Sequence, residues 1–147
     1  MEKIDPQKAA RVWQRVQGTA GMDVHLLQEA VLEESITATG WKQLSRNTQG
    51  QNKALLEQLQ KQTWERCACL RGICRLLTGS MPEMPAVHTL REGNQALLRA
   101  GYGQLMRCLA RYEAWQTDPE YGPTFAQLVR QTREHCRSVL QLLGSIR

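Results

Sequence analysis

Aromatic residues are scarce in this 147-residue chain, which has one Phe and three Tyr. β-branched residues are also few, so a sheet core would lack the side chains that suit pleated packing. Long apolar runs are missing: none approaches the roughly 20 residues needed to cross a bilayer. No run of Lys or Arg interleaves with aromatics, although the net charge is +5. Nucleic-acid binding is therefore not expected, because the concentrated basic stripe it needs is absent. Gly-rich phosphate loops, a nucleophile elbow and a zinc helix motif are absent too.

Metal-type cysteine spacing is also lacking. The five cysteines are Cys67, Cys69, Cys74, Cys108 and Cys136. Cys67 and Cys69 point to different faces of a helix. Cys67 and Cys74 share a face but stand two turns apart, roughly 10 Å by helical rise, too far for one metal. The opening Met1-Glu2-Lys3-Ile4-Asp5 is polar and does not read as a secretory leader. A reducing cytoplasm is the expected setting, with the thiols as small core residues.

What is present is helix-forming. Leu, Ala, Gln, Arg and Glu dominate, and 41% of the chain is hydrophobic, enough for one folded domain over 1–147. Punctuation divides it into a short helix at about 5–17 and four long segments. Asp5-Pro6 opens the short one, and Ala9, Val12, Trp13 and Val16 recur at i, i+3, i+4, i+7. The second segment, about 23–46, is capped by Asp23. The third, about 51–78, stops at Gly79 with Pro82 and Pro85 beyond. The fourth, about 89–116, starts at a Thr89/Glu92 capping box. The fifth starts near Pro119 or Pro123 and runs to about 145. One apolar stripe on each long segment predicts an all-α, antiparallel four-helix bundle. The Pro-rich stretch 79–88 is the place for a crossover between helix pairs.

Those stripes carry polar residues. The second segment has Glu34, with Glu33 beside it. The third has Thr63 and Arg66, the fourth Glu113, and the fifth Thr132 and His135. Each half thus has a Glu on its first helix and two polar residues at i, i+3 on its second. That is the ligand geometry of a carboxylate di-iron bundle, in which a Glu from each of two helices joins Glu-x-x-His from the other two.

At "TWERCACLRGICRLLTG" (63–79) and "MRCLARYEAWQTDPEYGPTFAQLVRQTREHCRSVLQLLGSI" (106–146) the chain resembles the ferritin-like, rubrerythrin-related proteins of anaerobic Firmicutes. The resemblance implies a ferritin-like up-down-down-up bundle with one crossover. It places Glu34 and Glu113 at the family's lone-carboxylate positions, and His135 at the final His of the second motif. It also marks losses: Thr63 and Thr132 stand where Glu is expected, and Arg66 stands where the first His is expected.

Two ferrous ions carry four positive charges, which a working site offsets with about four carboxylates and two imidazoles. Two carboxylates, one imidazole and a permanent guanidinium cannot do this. The expectation is a degenerate site without cofactor, in which Arg66 pairs with Glu34 or Glu113. His135 would then be a core residue bonded to Glu113 or a trapped water. The alternative is an iron or manganese ion at a mononuclear site of Glu34, Glu113 and His135, serving a rubrerythrin-like metal-dependent oxidoreductase. A non-catalytic structural or interaction protein is the first reading, with a homodimer or a related ferritin-like protein as partner and no membrane or nucleic acid.

Overall fold

The computed structural model describes residues 22–84, 90 and 92–146. Among them are four helices and no strand: α1 (Val24–Arg46), α2 (Gly50–Thr78), α3 (Asn94–Trp115) and α4 (Gly122–Ser145). The short helix expected at about 5–17 lies outside the described residues.

The helix ends follow local chemistry. The Asp23 carboxylate caps α1 by accepting from the His25 backbone N–H at 2.7 Å. α2 closes on Gly79, whose φ of +81° is costly for any residue with a Cβ. Pro123 sits in the first turn of α4, where its missing N–H costs nothing.

One boundary differs from the sequence expectation. α3 begins at Asn94 behind the cap Gly93, not at about 89. The cause lies on α1, where the Gln43 amide clasps the backbone of Leu90. Gln43 Nε2 donates to the Leu90 carbonyl at 2.6 Å and Oε1 accepts the Leu90 N–H at 2.9 Å. With both backbone groups engaged by α1, the chain stays outside the helix at that point.

The interior divides into two apolar clusters, and these fix the topology. One joins Leu27, Ala30 and Val31 of α1 to Leu70 and Ile73 of α2, Tyr112 and Trp115 of α3, and Phe125 and Val129 of α4. The other joins Trp41 and Leu44 to Leu56 and Leu59, Leu98 and Leu105, and Val139 and Leu142. The first cluster thus takes the start of α1, the end of α2, the end of α3 and the start of α4. The helix order is up-down-down-up, with the end of α2 and the start of α3 in different clusters. α1 packs on α2 and α3, and α4 packs on α3 and, least extensively, on α2. α1 and α3 approach closely where Gly101 faces the Trp41 ring, since a Cβ at 101 would collide with it. None of the described helices is long and apolar enough to cross a membrane.

Candidate functional site

Between the two apolar clusters lies a polar layer. Glu34 enters it from α1, Thr63 and Arg66 from α2, and Thr132 and His135 from α4, each at most 2% exposed. The i, i+3 spacing puts both members of each pair on the inward face of their helix.

Arg66 is the hub. Its Nε donates to Glu34 Oε2 at 2.6 Å, with both side chains 1% exposed. Nη1 reaches Gln131 Oε1 at 3.0 Å and His135 Nδ1 at 2.7 Å. Nη2 donates to Thr63 Oγ1 at 3.3 Å. A guanidinium has only donors, so His135 Nδ1 must accept. The imidazole proton then sits on Nε2, which faces Gln62 Oε1 at 2.6 Å. Burial, and then the Arg66 charge, lowers the His135 pKa to about 3. His135 is therefore a neutral hydrogen-bonding side chain, and its only lone pair is already used.

Two residues stand differently from the sequence reading. Glu113 is not in the layer: it is about half exposed and accepts from Arg133 Nη2 at 3.0 Å on the surface. Tyr112 takes the inward position of α3, and the next residue is turned about 100° away. Charge balance agrees, because one buried guanidinium neutralises one buried carboxylate. A second would be left uncompensated. His135 consequently bonds Arg66 and Gln62 rather than Glu113. The ambiguity between Glu33 and Glu34 resolves to Glu34, since Glu33 turns outward to Arg111 Nη1 at 2.6 Å. The mononuclear set of Glu34, Glu113 and His135 is not assembled.

The periodicity of the stripes did not find Gln62 and Gln131. A short internal repeat does carry the signal: "QTWER" (62–66) and "QTREH" (131–135) share Gln-Thr-x-Glu followed by Arg or His. The pairing crosses between the two copies. Gln62 of the first copy accepts from His135 of the second, and Gln131 of the second accepts from Arg66 of the first. α2 and α4, the least packed neighbours, are joined at this height by polar bonds.

The surrounding thiols are chemically quiet. Burial and the nearby Glu34 carboxylate push Cys67 up to about 11. Burial, with Glu34 adding to it, also raises Cys108. A protonated thiol is a poor nucleophile and a poor ligand. Among the described residues, no group of three or more His, Cys, Asp or Glu is placed to hold a metal ion. The layer does not fit a di-iron centre either. It offers one carboxylate and one imidazole, and a cation stands between them. An all-α bundle built around a buried ion-pair layer is the class that fold and site define. Compared with protein-family models, curated proteins and solved structures, the chain matches none.

Proposed function

We propose that this chain is a ferritin-like, rubrerythrin-related bundle whose di-iron site has degenerated into a structural ion pair. It then serves as a non-catalytic structural or interaction protein. The up-down-down-up order supports the reading. So does the buried polar layer of Glu34, Thr63, Arg66, Thr132 and His135, the residues to which the sequence resemblance assigns ligand positions. The single observation that carries it is Arg66 held between Glu34 and His135.

A guanidinium there repels a divalent ion and supplies the positive charge that Glu34 needs. No metal cofactor is part of the reading. A homodimer or a related ferritin-like protein is the proposed partner. The test is elemental analysis of protein purified without added chelator, together with thermal melts with and without ferrous or manganous ion. The expected result is sub-stoichiometric metal and an unchanged midpoint, since an ion that does not bind the native state cannot stabilise it. A midpoint rise abolished by His135→Ala would overturn the reading.

A further inference from the structure

α2 and α4 are the least extensively packed neighbours of the bundle. A cleft of about 90 Å³ lies between them. Leu55 and Leu59 of α2 give it an apolar wall. Gln58 and Gln62 of α2, with Glu134 and Ser138 of α4, form its polar edge. The buried His135 closes its inner end. The volume is well below the roughly 300–1,000 Å³ of a pocket for a drug-sized molecule. The occupant is therefore a small group, or the end of a chain whose stem lies along the two leucines.

The inner end offers a ligand little. His135 Nε2–H and Gln62 Oε1 satisfy each other at 2.6 Å. Arg66, on the far side of the imidazole, is neutralised by Glu34. The free groups are on the edge. Ser35, Thr37, Thr39, Ser45, Thr63 and Ser145 all return their hydroxyls to a carbonyl about one turn back. The half-buried Ser138 hydroxyl, in the cleft, makes no hydrogen bond among the described residues. Neither does the Gln58 amide. Glu134 forms no salt bridge among them, although Arg130 and Arg137 stand one turn away on the same helix.

The three free edge groups share one property: each can accept a hydrogen bond. The Glu134 carboxylate makes the cleft repel anions. A divalent ion finds a single carboxylate there and no imidazole lone pair, because the nitrogen facing the cleft carries the proton. A primary ammonium matches the edge, with three donors, one positive charge and no acceptor. Its alkyl stem suits the leucine wall. The geometry points to the α2–α4 cleft as a binding site for a small aliphatic primary amine in its ammonium form, held by Glu134, Ser138 and Gln58. The site needs no metal-binding ancestry in the layer behind it.

The probe is butylammonium, with butan-1-ol and butyrate as its neutral and anionic matches at equal ionic strength. Two-dimensional amide NMR should show saturable shifts confined to residues 55–62 and 134–138. The expected dissociation constant is roughly 1–10 mM, as a ligand of so few atoms allows. Glu134→Gln should weaken binding roughly 3- to 10-fold. Ser138→Leu fills the cleft and should abolish it. Glu113→Gln, at an exposed carboxylate on α3, should leave it unchanged. Nα-acetyl-lysine methylamide separates the two sources of such a group: tighter binding than butylammonium assigns the cleft to a lysine side chain of a partner, and weaker binding assigns it to a free amine. No saturable shift with either amine overturns the proposal. So does butan-1-ol binding as well as butylammonium, or binding that Glu134→Gln and Ser138→Leu leave intact.

Discussion

Arg66 Nη1 approaches His135 Nδ1 to 2.7 Å, which places a permanent cation against a neutral imidazole. Protonating His135 would put two positive charges in contact inside the core and remove the acceptor that Arg66 uses. The folded pKa of His135, about 3, lies below the ordinary 6.5. The folded protein therefore binds fewer protons than the unfolded chain between these values. Stability from this residue is complete above about 6.5 and is lost as pH falls towards 3. Lowering pH from 7 to 5 should cost about 2 kcal/mol through His135 alone, a window in which ordinary carboxylates barely titrate. Urea titrations of wild type and His135→Gln check this. The variant should lose the pH 5–7 slope, and an unchanged slope would sink the assignment.

Arg66→Ala should destabilise by roughly 3–5 kcal/mol, because it strands a buried carboxylate. The direction of a second substitution separates the ion pair from simple packing. Adding Glu34→Gln to Arg66→Ala should recover part of the loss, since no charge then remains unpaired. Denaturant midpoints for the two singles and the double complete the cycle. Strictly additive losses would mean that Arg66 matters only through its volume.

Helix existence and most ends were legible in the sequence because they rest on local chemistry. Asp23 caps and Gly79 adopts a positive φ within a few residues of where each acts. The start of α3 was not legible, because a residue on another helix, Gln43, decides it. Glu34, Thr63, Arg66, Thr132 and His135 were placed inward correctly by helical periodicity. Glu113 was not, because a 100° step divides inside from outside at an end of the apolar arc. There the competition between Tyr112 and Glu113 is settled by aromatic packing. Tyr112 meets Phe125 and Trp115 with ring centroids 6.0 Å away in each case. The glutamines were passed over because half-exposed amides carry no periodic apolar signal. Only comparing the two halves exposes them.

Gly101→Ala should cost about 1–3 kcal/mol, the usual range for forcing atoms into a packed core. The new Cβ meets the Trp41 ring, which is 1% exposed and cannot swing away without disturbing its cluster. Gly72→Ala on α2 is the control, because nothing lies within 4 Å of its added Cβ. It should be neutral or slightly stabilising, as Ala is the better helix former. Equal melting temperatures for the two variants would contradict the close approach of α1 and α3.

If the layer descends from a metal site, returning its ligands should return metal binding. Thr63→Glu, Arg66→His and Thr132→Glu rebuild two Glu-x-x-His motifs facing Glu34. Glu113 points to solvent, so the missing carboxylate of α3 must come from the inward position, by Tyr112→Glu. The quadruple variant should be poorly stable alone, because four buried carboxylates then lack counter-charges. It should gain stability on anaerobic addition of ferrous or manganous ion, with a midpoint that climbs with ion concentration. The same variant with Arg66 retained should gain nothing, because the guanidinium stays among the carboxylates as their cation. Binding is read by equilibrium dialysis with elemental analysis, and stability by thermal melts. If the quadruple variant folds, as judged by its circular dichroism, yet takes up no ion, the stripes do not align with di-iron ligand positions. The layer would then be an ion pair of independent origin.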